Sequence, residues 1–126
     1  MTAPLRIGVL ADDLIWSTRL VSILRDAGVE PVAVRSASAL DGATVAGAVI
    51  DLTARAYDGI AAVRAATDAG RSVVCLAQHD DEPLRRAALA AGARSVYPYR
   101  TLHEKGAGAL ARWLTELGDT GQGGGG

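Results

Sequence analysis

Five short apolar runs alternate with segments of helical pattern along most of this chain, and no other feature limits its folds so strongly. "RIGVLA" (6–11) reads as a strand, and "LIWSTRLVSILRDAG" (14–28) follows it with Leu14, Leu20, Ile23 and Leu24 near helical spacing. "PVAVR" (31–35) is a second strand, after which "SASALDGATVAG" leaves room for one or two helical turns. "AVIDL" (48–52) and "GIAAVRAATDAG" (59–70) form the third pair, "SVVCLA" (72–77) and "DEPLRRAALAAG" (81–92) the fourth. "SVYPY" (95–99) is the last strand, with Pro98 marking an edge, and "LHEKGAGALARWLTELG" (102–118) closes as an amphipathic helix.

Strands alternating with helices are joined by right-handed crossovers, which require a parallel sheet covered on both faces. The expectation is an α/β, flavodoxin-like doubly wound sheet in the order 2-1-3-4-5 with five helices, the second short. Residues 1–118 make one domain, and the glycine-rich tail 119–126 is expected to be disordered.

The 13 basic and 14 acidic residues are interspersed and nearly cancel, which leaves no electrostatic footprint for nucleic acid or an anionic membrane. The lone Cys75 has no partner for an internal disulfide and sits in an apolar run, as a buried hydrophobe in a reducing compartment would. No apolar stretch is long enough to span a bilayer, and the start lacks a signal-peptide pattern, so a cytoplasmic location is expected.

Ligands collect at the carboxyl ends of strands in such sheets. Asp12 and Asp13 follow the first strand and Asp51 ends the third, its neighbour in this order, so three carboxylates converge on one rim. Like charges held together oppose folding, and a divalent cation is the usual reason to keep them. Mg2+ suits hard oxygen ligands, and a carboxylate beside it can act as nucleophile toward a phosphoryl group. Asp13 has a second reading as the N-cap of the helix that begins at residue 14.

The motifs resemble those of the receiver domain of bacterial two-component response regulators, over residues 5–117. "LADD" resembles the family's acidic pair, and "VIDLTARAYDG" its phosphoacceptor segment with Asp58-Gly59 at the family's spacing. "ALAAGARSVYPY" resembles the turn into the fifth strand. The resemblance implies Asp51 as phosphoacceptor, with Mg2+ held by Asp12, Asp13, Asp51 and the backbone carbonyl of Thr53. It implies a histidine kinase or phosphotransfer protein as donor, a downstream protein partner, and homodimers through the fourth helix, fifth strand and fifth helix.

Two places depart from the pattern. The family's Ser or Thr at the end of the fourth strand falls on Ala77, so a phosphoryl group would lose a hydrogen bond of roughly 1.5–3 kcal/mol. Gln78 and His79 lie one and two residues farther on. Ungapped counting puts Tyr99 in the place of the family's Lys; one inserted residue instead gives Tyr97 the switch aromatic and Arg100 the Lys position. Arg100 is the favoured surrogate, since a guanidinium keeps the charge and binds phosphate bidentately. Arg55 overhangs the acids and offers a permanent salt bridge in place of a metal. Trp16 either flanks the mouth of the site or packs on the first helix, and the Leu110–Trp113–Leu114 stripe reads as core.

His79 and His103 have no companions at zinc-ligand spacing, and the acidic first loop repels a flavin phosphate. A phosphatase-like enzyme lacks its second aspartate, since Thr53 stands two residues after Asp51. Two readings therefore lead: a stand-alone receiver, not an enzyme beyond its own phosphorylation and dephosphorylation, and a pseudo-receiver that binds partners without phosphorylation.

Overall fold

The computed structural model describes residues 4–123. Strands β1 (Arg6–Leu10), β2 (Glu30–Val34), β3 (Gly47–Asp51), β4 (Ser72–Ala77) and β5 (Ser95–Pro98) form one parallel sheet in the order β2-β1-β3-β4-β5. Between them lie α1 (Leu14–Asp26), α2 (Ala37–Asp41), α3 (Gly59–Asp68) and α4 (Glu82–Ala90), with α5 (Tyr99–Lys105) and α6 (Ala107–Gly123) after β5. The order and the short α2 are as the alternation requires. Both edge strands carry a proline, Pro31 in β2 and Pro98 in β5, where the missing N–H costs no ladder bond to an outer neighbour.

Successive strand residues feed opposite faces. Leu10, Ile50, Val73, Cys75 and Val96 pack with Leu40 of α2, Val63 of α3 and Ala88 of α4. Ile7, Val9, Val49, Val74 and Leu76 pack with Leu20 and Leu24 of α1, Leu102 of α5, and Leu110 and Trp113 of α6. The last-helix stripe is therefore core, and Trp113 donates its indole N–H to Ser72 Oγ at 2.8 Å. Burial pushes the Cys75 thiol up to about 12, so it stays a neutral hydrophobe.

Helices α1 to α4 each begin on a side chain that accepts a free backbone N–H: Asp13, Ser36, Asp58 and Asp81. The segment after β5 departs from the expected single helix. Pro98 ends β5 and Tyr99 already opens α5, which stops at Gly106 with φ at +52°, a conformation glycine adopts without strain. The described residues thus form six helices. The backbone of α6 runs on through Gly123, so the helix takes in 119–123 of the expected tail, and residues 124–126 lie outside the described residues.

Candidate functional site

The carboxyl ends of β1 and β3 bring Asp12, Asp13 and Asp51 to one cavity of about 530 Å³, which Trp16, Thr53, Arg55, Gln78 and Tyr99 also line. The two adjacent acids are used differently. Asp13 Oδ1 turns back to cap α1, accepting from Ile15 N at 2.8 Å and Trp16 N at 3.1 Å. Asp12 Oδ2 reaches across to the loop after β3, accepting from Arg55 N at 2.9 Å and Ala56 N at 3.0 Å. Both readings of Asp13 therefore meet in one residue, which caps a helix and faces the cavity.

Asp51 is the buried member, 2% exposed. Its Oδ1 accepts from Thr53 N at 3.0 Å, from Thr53 Oγ1 at 2.9 Å, and from the Tyr99 hydroxyl. Burying a carboxylate is costly unless donors replace its water, and these three do so. Tyr57 supports the same strand end from behind, donating its hydroxyl to the carbonyls of Leu10 at 2.9 Å and Asp51 at 2.7 Å. Burial, then the nearby charges of Asp51 and Asp12, raise the Tyr57 phenol well above its ordinary range. Burial and the bond to Asp51 do the same for Tyr99, so both phenols remain protonated donors.

Asp58-Gly59 has a structural purpose at this site. Asp58 caps α3 through Ala61 N at 3.1 Å, and Gly59 lets the helix start lie against Leu52, whose Cα an added Cβ would meet at 3.0 Å. The motif fixes the exit of the loop that carries Thr53 and Arg55.

The acids supply hard oxygens of the kind Mg2+ takes, and among the described residues each keeps one carboxylate oxygen clear of protein donors. Among the described residues no three His, Cys, Asp or Glu side chains gather into a ligand group. Each acid commits its other oxygen to protein donors that include backbone N–H groups: Asp12 to the loop after β3, Asp13 to the first turn of α1, and Asp51 to Thr53. Arg55 does not compensate the charge: its backbone N–H contacts Asp12, while its guanidinium makes no salt bridge among the described residues.

Arg100 is not brought to the cavity. It lies in the first turn of α5 with its side chain 85% exposed, and Nε pairs with Glu104 Oε1 at 2.8 Å along the helix. Tyr99 takes the position beside Asp51, as ungapped counting had it, and Tyr97 packs against the α1–α6 face of the core. Because α5 begins at Tyr99, residues 99 and 100 diverge by a helical step instead of continuing the strand. Ala77 ends β4 buried, opposite Pro98, and offers no donor; Gln78 lines the cavity and His79 is exposed outside it. Trp16 lines the cavity, and its ring lies 4.9 Å from that of Tyr99 in α5. The Tyr57 hydroxyl is a site group to which no motif points, while the Tyr99 hydroxyl stands at the Lys position of ungapped counting, where Arg100 was the favoured expectation.

No family model matches the chain, and no curated protein matches it in sequence. Solved structures do match in fold. A CheY-like response regulator receiver domain protein from Methanospirillum hungatei is 19% identical with a TM-score of 0.73, over 91% of this chain and 97% of that one. The signal receiver domain of a putative Luxo repressor protein from Vibrio parahaemolyticus is 12% identical with a TM-score of 0.77, over 91% and 93%. The receiver domain of a signal transduction histidine kinase from Syntrophus aciditrophicus is 20% identical with a TM-score of 0.73, over 91% and 89%. The fold is that of a response regulator receiver domain.

Proposed function

We propose that this chain is a receiver-type signalling domain, in which Asp51 accepts a phosphoryl group and the output is a change in protein contacts. One observation carries the reading: a buried carboxylate ends the central strand on the floor of a cavity of about 530 Å³ at the carboxyl rim, where this fold places its ligands. The donor is a histidine kinase or phosphotransfer protein, or a small acyl phosphate. A carboxylate oxygen of Asp51 attacks phosphorus, an O–P bond forms as the bond to the donor breaks, and the donor leaves with the electron pair. The reading places the domain in the cytoplasm; among the described residues no helix is long and apolar enough to cross a membrane.

The test is intact mass after incubation with acetyl phosphate, with and without Mg2+. One added phosphoryl group that is absent in Asp51→Asn supports the reading. No mass gain under either condition, with acetyl phosphate or a phosphorylated phosphotransfer protein, overturns it. A second reading, a pseudo-receiver that binds partners without phosphorylation, is favoured by the pairing of Ala77 with Tyr99. The first removes the hydroxyl donor from β4 and the second occupies Asp51 with an uncharged group.

A further inference from the structure

All three donors to Asp51 fall on one of its oxygens. Oδ1 accepts from Thr53 N, Thr53 Oγ1 and the Tyr99 hydroxyl, while Oδ2 has no protein donor among the described residues. Oδ2 is therefore the oxygen free to take a phosphoryl group, and Oδ1 becomes the carbonyl oxygen of the acyl phosphate. The two hydroxyls also lie against each other, so three contacts between oxygens share two protons. A carboxylate draws both protons to itself. A neutral carbonyl holds them about half as strongly, and one hydroxyl is then free to turn to the other. Burial, then the bond to Asp51, keep the Tyr99 phenol protonated, and its ring is steadied against Trp16. At the end of β4, by contrast, Ala77 has no donor for the phosphoryl oxygens.

We propose that the Thr53 and Tyr99 hydroxyls serve Asp51 as a departing carboxylate, so that the phosphorylated state is brief; this rests on Asp51 as phosphoacceptor. In discharge a water oxygen attacks phosphorus and the bond from phosphorus to Oδ2 breaks. Its electron pair returns to the carboxylate, and the water gives up a proton as inorganic phosphate forms. The returning charge is shared between both carboxylate oxygens, and donors stand ready for it at Oδ1. Hydrogen bonds that strengthen as a reaction advances speed it. The same bonds favour bare Asp51 over its acyl phosphate, which keeps the phosphorylated fraction low.

The experiment loads the full chain with acetyl phosphate and Mg2+, desalts it into EDTA, and follows loss of the added mass in wild type and in Tyr99→Phe. The variant is expected to discharge roughly fivefold or more slowly, the excess of a hydrogen bond to a charged acceptor over one to a neutral acceptor. It is also expected to hold a larger phosphorylated fraction at a fixed acetyl phosphate concentration. In urea, where the site is lost, both chains should decay at one rate. A tyrosine that only packs would lower the melting temperature and leave the native decay rate unchanged. Equal decay in the two native chains, or faster decay in Tyr99→Phe, overturns the inference.

Should Tyr99→Phe fail to fold, Thr53→Val removes the other hydroxyl and is expected to slow discharge in the same way; unchanged decay overturns the inference. If neither variant folds, the wild type decides alone. Faster decay in the native chain than in urea supports the inference, and slower decay overturns it. A chain that gains no phosphoryl group overturns the proposed function and this inference with it. A chain that gains one and discharges equally with and without the Tyr99 hydroxyl overturns this inference alone.

Discussion

The two rims of the sheet handle charge in opposite ways. At the amino rim three guanidiniums stand at strand starts, and each is engaged. Arg6 pairs with Glu30 at 3.0 Å and bonds to Thr44 O, and Arg94 grips both oxygens of Glu116 at 2.9 and 3.2 Å. Arg71 donates to the carbonyls of Leu40, Asp41 and Ala43, at 2.7, 3.1 and 2.6 Å. At the carboxyl rim Asp12, Asp13 and Asp51 gather without a salt bridge among the described residues, held by N–H and O–H groups. Charge is compensated at the rim that only closes the fold. It is left uncompensated at the rim where a cavity opens, which is where stability is given up for a site.

The sharpest way to break this comparison is to remove a cation from the amino rim. Arg71→Met keeps an apolar stem but removes three hydrogen bonds to carbonyls at the α2 end, two of them part-buried, and of these carbonyls Leu40 O keeps a backbone donor in Ala43 N. Hydrogen bonds from a charged group make this about 2 kcal/mol, a fall of several degrees in melting temperature by calorimetry. A loss smaller than a few tenths of a kcal/mol would mean that the amino rim is not held by its guanidiniums.

The converse holds at the other rim, where removing charge should help. Asp12→Asn retains an oxygen to accept from Arg55 N and Ala56 N while relieving repulsion from Asp13 and Asp51. The expected gain is about 0.5 kcal/mol at low salt, fading as ionic strength rises. Denaturant unfolding at two salt concentrations measures it. A salt-independent loss would show that the acids are already compensated, and the contrast between the rims would fail.

Much of this could be read from the residues, and the exceptions have physical reasons. The strand order followed from alternation and crossover handedness, and the meeting of Asp12, Asp13 and Asp51 followed from the order, because each lies at a strand end whatever the loops do. The pocket's far wall did not follow. Its geometry turns on whether residue 99 still belongs to β5 or already to α5, a one-residue question that rotates the next side chain away and sends Arg100 to Glu104. Periodicity cannot settle a boundary so sharply, and a charge-based expectation favoured the arginine over the phenol beside it. The break at Gly106 was hidden likewise, since a glycine inside a helical pattern reads equally as a tolerated interruption. The backbone N–H groups that take one oxygen of each acid are likewise invisible in a sequence.

The smallest effect tests the amino rim at its most exposed pair. Arg94 lowers the Glu116 pKa from its ordinary 4.5, first through the hydrogen bond and then through the charge. A carboxyl group lowered on folding adds stability that is complete above its unfolded value and disappears as the pH falls through the folded one. The melting temperature of wild type should therefore exceed that of Glu116→Gln slightly at neutral pH, and the difference should close below pH 4.5. High salt should close it too, because the pair is open to solvent. A difference that persists at low pH and high salt would assign Glu116 a packing role, with the ion pair incidental, and would leave Arg6 and Arg71 alone to represent charge compensation at that end of the sheet.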